Sequence, residues 1–146
     1  MSVEDFKSKY SFLYDSVLPP NSTVKNDLEY VSNHWTEYSY DPWEECYGSG
    51  QFFNSIAFRE ALSSGAKLAE KLGDKGAAEW YRLQLSDVDE FLESFWDPEV
   101  GYIRSTVGHS GGVEWKIKHL DSSILVAVVF ANSSSPDDPY SISIPF

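Results

Sequence analysis

Cysteine and basic residues are scarce in this chain of 146 residues. Cys46 is the only cysteine, which excludes an intrachain disulfide. Lysine and arginine together number 11 against 23 aspartates and glutamates, so the formal net charge is −12. Nucleic acids and anionic membranes are bound through clustered lysine and arginine side chains. The charge balance therefore argues against both classes of partner.

Long hydrophobic runs are missing as well, and no stretch is long or apolar enough to span a bilayer. The first ten residues of the chain as it stands are charged and contain no apolar run, so we expect no signal peptide and leave the compartment open. The histidines at positions 34, 109 and 119 have no metal-ligand spacing with one another or with Cys46. We accordingly expect neither a metal nor another cofactor.

Hydrophobic and aromatic residues are nevertheless plentiful. They make up 42% and 16% of the chain, which is too much for a disordered tail despite the charge. A chain of this length can bury a sizeable core in one domain. We therefore expect a folded domain rather than an extended acidic tail.

Apolar residues recur at three- and four-residue intervals and predict helices over about 6–17, 23–38, 53–72, 77–95 and 121–129. Gly73 suits the position after a helix, and Asp74 can cap the next one, so the third and fourth helices should form an antiparallel hairpin. Asp121 is a plausible N-cap for the last helix, whose β-branched residues alone would favour a strand. Segments 40–50 and 109–119 are interpreted as loops, and segment 102–107 as a short extended piece.

One of these loops concentrates chemistry, because Asp41-Pro42-Trp43-Glu44-Glu45 places three carboxylates and an indole in five residues. Crowding and burial can raise the pKa of one carboxyl so that it stays protonated near neutrality and acts as an acid. An indole beside it can stack on the face of a sugar. On composition alone, a solvated surface loop is the alternative interpretation.

Sequence blocks in a fixed order resemble the central segment of the fungal glucoamylases. The blocks are VKNDLEYV (24–31), DPWEE (41–45), Gly48, Phe52-Phe53, REAL (59–62), Gly65-Ala66, FLESFW (91–96) and LDSS (120–123). Their spacing also matches, and the resemblance covers about residues 23–131. The ordered set is more specific than any block alone.

The resemblance implies a fold and an activity. The fold is an all-α (α/α)6 barrel, of which residues 1–146 would form one partial catalytic domain with about half of the six helical hairpins. The activity is the release of glucose from the non-reducing ends of α-1,4-linked, starch-like glucans with inversion of configuration. The partner would then be an α-glucan or maltooligosaccharide, with the oligomeric state left open. Members of this family are typically exported.

The resemblance also implies roles for individual residues. By position, Glu44 resembles the general acid that protonates the glycosidic oxygen. Glu45 resembles the neighbouring carboxylate that binds substrate hydroxyls, and Asp41 and Trp43 resemble residues that tune the acid and shape the pocket. Inverting hydrolysis also needs a base carboxylate roughly 6.5–9.5 Å from the acid. In this family the base lies far downstream of the acid, so we expect this chain to lack it.

Two other functions stay open from the sequence. One is an inactive remnant that binds oligosaccharide weakly, and the other is an unrelated helical-hairpin interaction module. A local departure bears on the first of these, because Pro42 stands where the family commonly has leucine. Proline has no backbone N–H, so a substrate contact made there by the main chain would be lost.

The remaining reactive and aromatic residues have simpler interpretations. Cys46 lies beside two glutamates, which should raise its pKa and keep the thiol unreactive. Trp115 lies in a polar, glycine-rich segment and is the best second candidate for a sugar platform. Trp35 and Trp96 lie at apolar stripe positions and are predicted to be in the core, and Trp80 is predicted to serve packing.

Overall fold

Helices dominate the structure, a computed structural model that describes residues 2–118 and 120–131, without the side chains of residues 117, 118 and 131. The α-helices in this part of the chain are α1 (Val3–Tyr10), α2 (Thr23–His34), α3 (Phe52–Lys71), α4 (Lys75–Glu93) and α5 (Ser122–Ala131). A 3-10 helix covers Glu114–Lys118. Within these described ranges, no helix is both long and apolar enough to cross a membrane.

The turn between α3 and α4 confirms the sequence interpretation. Gly73 has a φ of +81°, which glycine adopts without the steric cost of a Cβ. The side chain of Asp74 then accepts a hydrogen bond from the N–H of Ala77 at 3.4 Å, in the first turn of α4. Together, these two residues end one helix and begin the next.

The pairs Arg59–Asp89 and Glu70–Arg82 link α3 to α4. In the first pair, Arg59 Nε lies 2.6 Å from Asp89 Oδ1. The later residue of α3 pairs with the earlier residue of α4, so the two helices are antiparallel. The predicted hairpin is therefore present.

The described residues divide into two compact units, and α3 and α4 contribute to both. The first unit contains residues 2–35 and 61–86. Its core includes Leu28, Leu62 and Tyr81, which are at most 6% exposed. A Cβ at Gly65 would lie 2.5 Å from Leu28 Cδ2, so this glycine lets α2 pack closely against α3.

The second unit contains residues 36–60 and the described residues from 87 to 131. Its core is built from Phe52 and Ile56 of α3, Val88 of α4, the following Phe95, and Ala127 of α5, all at most 1% exposed. The rings of Phe52 and Phe95 pack edge to face with centroids 5.5 Å apart. This core supports the strands and loops that follow.

Strands occur where the sequence predicted loops, so the all-α prediction was incomplete. A three-stranded antiparallel sheet has the order β1 (Ser39–Tyr40), β2 (Cys46–Gln51), β5 (Thr106–Gly112), and β3 (Trp96–Asp97) pairs with β4 (Tyr102–Ile103). The loop predictions for 40–50 and 109–119 were wrong over β2, β5 and the 3-10 helix. The extended piece predicted at 102–107 is confirmed in β4 and the start of β5.

The glycines of β2 explain that error. They belong to a segment that was interpreted as a loop, but they mark places where other groups approach the strand closely. A Cβ at Gly48 would lie 2.8 Å from the carbonyl oxygen of Val107, and one at Gly50 would lie 2.5 Å from the ring of Phe91. The lack of a side chain therefore serves packing here.

Helix boundaries differ from the prediction at two places. Helix α1 ends at Tyr10 rather than near residue 17, and α2 ends at His34 rather than near residue 38. Tyr14, beyond the end of α1, is buried and donates from its hydroxyl to Asp74 Oδ2 at 2.9 Å. Tyr14 thus fitted the apolar pattern of the predicted helix because it is buried, although it lies beyond the end of that helix.

Candidate active site

Residues 41–45 form a tight turn that joins β1 to β2. The carbonyl oxygen of Asp41 accepts from the N–H of Glu44 at 2.9 Å, and the N–H of Asp41 donates to the carbonyl oxygen of Cys46 at 2.9 Å. Asp and Pro are favoured at the first two positions of such a turn. The acidic segment is therefore fixed by backbone hydrogen bonds at both ends.

The Asp41 side chain stabilises this turn from inside, and the residue is only 4% exposed. Its Oδ1 accepts from the N–H groups of Glu45 at 2.7 Å and Cys46 at 2.9 Å. Its Oδ2 accepts from Lys116 Nζ at 2.6 Å. Asp41 thus holds the backbone that carries Glu44 and Glu45.

Glu44 is exposed and has a φ of +58°, in the left-handed region that favours glycine. A residue with a Cβ pays about 1–2 kcal/mol there. No residue within the described ranges donates a hydrogen bond to its carboxylate. Strained positions of this kind concentrate at functional sites, which supports a role for this side chain in binding or catalysis.

A cleft of about 700 Å³ opens beside the turn. It brings together three of the predicted site residues, Trp43, Glu44 and Glu45, with the second platform candidate Trp115. The full lining is Pro42, Trp43, Glu44, Glu45, Trp115, Lys116, Leu120, Asp121 and Ser122. Trp43 and Trp115 are 47% and 65% exposed, and both residues border the cleft.

Strand β5 delivers Trp115 and Lys116 to the cleft. The N–H of Val113, just after this strand, donates to the carbonyl oxygen of Glu45 at 2.8 Å. Gly112 permits this approach because it has a φ of +92° and because a Cβ there would lie 2.1 Å from the same carbonyl oxygen. The 3-10 helix then begins beside the acidic turn.

Lys116 is a functional candidate that the sequence did not reveal. It is 5% exposed, and its Nζ lies 2.6 Å from Asp41 Oδ2, 2.7 Å from Glu45 Oε2 and 2.9 Å from Asp121 Oδ2. Burial acts to lower the pKa of Lys116, but the hydrogen bonds to these carboxylates outweigh burial and raise the pKa. Lys116 is therefore an ammonium ion at the edge of the cleft.

Asp121 is the N-cap that the sequence predicted, and it is also a part of the cleft wall. Its Oδ1 accepts from the N–H of Ser123 at 2.7 Å and from Trp43 Nε1 at 3.0 Å. Burial acts to raise the pKa of Asp121, but the hydrogen bonds from Ser123 and Lys116 outweigh it and lower the pKa to about 2. Asp121 is consequently ionised at neutral pH and fixes the indole of Trp43.

The other reactive and aromatic residues lie outside this arrangement. Cys46 is 1% exposed, and burial, together with the charge of Asp41, raises the pKa of its thiol, which fits an unreactive cysteine. Trp96 is 55% exposed, so its predicted core position was wrong. Trp35 is half-buried and donates to Gln84, and Trp80 is 38% exposed. Among the residues that the structure describes, no cluster of His, Cys, Asp and Glu could hold a metal ion.

Comparison with known proteins places the chain in a family. The family model described as glycosyl hydrolases family 15 matches residues 4–143. The chain is 35% identical over 109 residues to the probable glucoamylase of Schizosaccharomyces pombe, a match that covers 75% of this chain and 23% of that protein. It is also 31% identical over 125 residues to the glucoamylase of Blastobotrys adeninivorans, covering 84% of this chain and 20% of the relative.

A third relative, glucoamylase 1 of Rhizopus oryzae, is 35% identical over 117 residues, which are 80% of this chain and 18% of the relative. The chain thus spans about a fifth of the length of the curated relatives it matches. No solved structure matches it significantly. On the family match and these three relatives together, the chain belongs to glycosyl hydrolase family 15.

Proposed function

We propose that residues 1–146 form one partial catalytic domain of the (α/α)6 type that carries the acid-bearing part of a glucoamylase-like active site. Its substrate is an α-1,4-linked, starch-like glucan, from which terminal glucose is hydrolysed with inversion. Support comes from the family match, from the glucoamylase names of the relatives and from the contents of the cleft.

In this proposal, Glu44 is the general acid that gives its proton to the glycosidic oxygen. Its side chain is exposed at the cleft, on a turn whose backbone is hydrogen-bonded to Asp41, so the point where the side chain leaves the backbone is fixed. Proton transfer from a positioned carboxylic acid typically contributes about 10²–10⁴-fold to the rate. The strained backbone at Glu44 is the single observation that carries this assignment.

Glu45 and the two cleft indoles hold the sugar. Glu45 uses Oε2 for Lys116, and no residue of the described ranges donates to its Oε1, which leaves this oxygen to accept from a sugar hydroxyl. Trp43 and Trp115 are exposed residues of the cleft lining, and their indoles are the groups that stack on the sugar rings in this proposal. The cleft therefore combines a polar anchor with apolar platforms, as ligand sites generally do.

The base that activates water comes from outside the described residues in this proposal. Asp41, Glu45 and Asp121 are each paired with Lys116 and have other roles in this proposal. Inversion requires the base carboxylate about 6.5–9.5 Å from the acid so that a water molecule fits between substrate and base.

Glucose release from maltoheptaose by the purified chain tests this function. Once a base carboxylate is supplied from outside the described residues, we expect the wild type to release β-glucose and Glu44→Gln to lower the rate at least about 100-fold, because the amide cannot donate the proton. Glu79→Gln changes an exposed glutamate of α4 in the first unit and serves as the matched control, with an unchanged rate.

Turnover in Glu44→Gln equal to that of the wild type would sink the assignment of Glu44, and release of α-glucose would sink inversion. Circular dichroism on each sample establishes that it is folded. A folded wild type that binds maltoheptaose without releasing glucose would favour the alternative function, a remnant that only binds oligosaccharide.

A further inference from the structure

The Lys116 ammonium group pairs with three different carboxylates. It donates hydrogen bonds to Asp41 at 2.6 Å and Glu45 at 2.7 Å, and it forms an ion pair with Asp121 at 2.9 Å. Asp41 and Glu45 come from the acidic turn, and Asp121 precedes α5. One side chain therefore ties together two segments that are more than 70 residues apart.

Two of these partners, Glu45 and Asp121, set the position of groups at the cleft. Glu45 is held at Oε2, so its free Oε1 has a defined direction. Asp121 uses one oxygen for Lys116 and the other for Trp43 Nε1, so the indole is linked to the ammonium group through a single carboxylate. The position of both sugar-facing groups thus depends on Lys116.

Stability alone is a poor explanation for this cluster. Taking an ammonium ion and two nearly buried carboxylates out of water is costly, and replacing buried ion pairs by apolar residues is often neutral or stabilising. The side chains of Lys116, Asp41 and Asp121 are only 6%, 3% and 4% exposed, whereas that of Glu45 is 47% exposed and reaches the cleft. Lys116, Asp41 and Asp121 are therefore buried, while Glu45 is exposed towards the cleft.

We infer that Lys116 is a positioning residue for sugar binding, which orients Glu45 directly and Trp43 through Asp121. This inference rests on the proposed function, because the oriented groups are those assigned to the glucan. Lys116 itself does not contact the reacting atoms in this scheme. Its loss should weaken the binding of maltooligosaccharide and should move the indole of Trp43.

The test uses the full chain with ¹⁵N-labelled tryptophan side chains, with the Trp43 indole resonance identified from Trp43→Phe. In Lys116→Met, we expect this resonance to shift before sugar is added and the affinity for maltoheptaose to fall at least about tenfold, as for a lost charge-assisted hydrogen bond. Asp121→Ala should move the same resonance with a smaller loss of affinity, because Lys116 still holds Glu45. Lys116→Arg keeps the charge and should restore part of the affinity.

The matched control is Lys25→Met, which removes another buried lysine, 2% exposed, in the first unit. Its folded fraction should keep both the Trp43 resonance and the affinity of the wild type. An unshifted Trp43 resonance and wild-type affinity in folded Lys116→Met would overturn the inference. A wild type that does not bind maltoheptaose would instead overturn the proposed function, while the sugar-free resonance still reports whether Lys116 positions Trp43.

Discussion

Each unit of the molecule contains a buried lysine neutralised by carboxylates, but the two clusters face different surroundings. In the first unit, Lys25 Nζ lies 2.9 Å from Asp74 Oδ2 and 3.1 Å from Glu29 Oε1. The hydroxyls of Tyr14 and Tyr81 donate to the same two oxygens at 2.9 and 2.7 Å. The two tyrosine rings also lie under the ammonium group, 5.5 and 5.4 Å from Nζ.

In the part of the chain that the structure describes, no tyrosine hydroxyl donates to the carboxylates of the Lys116 cluster. Its carboxylates accept instead from the backbone of the acidic turn and from the indole of Trp43. One carboxylate, Glu45, reaches into a cleft. Both units thus contain a buried ion-paired lysine. The groups around the carboxylates differ, and this difference separates the structural Lys25 cluster from the Lys116 cluster at the candidate site.

The largest effect should come from breaking the enclosed cluster. Lys25→Met leaves Asp74 and Glu29 charged and without their cation, which typically costs about 3–5 kcal/mol. We expect the free energy of unfolding from urea titrations to fall by this amount. Lys116→Met should cost less, because Glu45 can turn towards water and Asp41 keeps its two backbone donors. Equal losses in both variants would contradict the distinction between the clusters.

A smaller effect concerns acid stability in the second unit. The pKa of Asp121 is lowered to about 2 from an ordinary value of 3.8, so its ionised form stabilises the folded state above pH 3.8. This stabilisation, about 2 kcal/mol, should be lost as the pH falls from 3.8 through about 2. Unfolding free energies of the wild type and Asp121→Asn, measured from pH 6 down to pH 2, should therefore converge.

The matched control is Asp27→Asn, which changes an exposed aspartate in α2. The unfolding free energies of this variant and the wild type should not converge as the pH falls. A difference between wild type and Asp121→Asn that stays constant over this pH range would show that the ionised carboxylate is not the source of the stabilisation.

The smallest expected effect on stability comes from substitutions at residues with a left-handed backbone. Left-handed residues occur in both units, and Gly73 in the first unit (φ +81°) differs from Glu44 in the second (φ +58°) because Glu44 has a Cβ. Glu44→Gly should raise the unfolding free energy by about 0.5–1 kcal/mol while removing the proposed acid, whereas Gly73→Ala should lower it by about 1 kcal/mol. Thermal unfolding of the two variants measures both changes, and a destabilised Glu44→Gly would show that no strain is stored at this position.

Local sequence signals predicted the helical hairpin well and the site only in part. Gly73 and Asp74 mark a helix end and a helix start by rules that involve only neighbouring residues. The strands were missed because Gly48 and Gly50 are needed where Val107 and Phe91 approach β2 closely, and these two residues lie far away in the sequence. A short window contains no information on such contacts.

The same limit applies to the cleft. The acidic turn and Trp115 were found because their composition is unusual in itself, whereas Lys116 belongs to a segment interpreted as a loop and its partners are 5 to 75 residues away. Trp96 was misplaced because a stripe of apolar residues was continued past the end of α4 at Glu93. Periodicity identifies a helix more reliably than it identifies the last residue of its buried face.

The acidic turn has a consequence for how this site can change in evolution. Its hydrogen bonds are donated by the N–H groups of Asp41, Glu44, Glu45 and Cys46, and its second position donates none. Pro42 occupies that position. A substitution at residue 42 therefore removes none of the hydrogen bonds that hold the turn carrying Glu44, and its effect on the turn is limited to the φ that proline fixes.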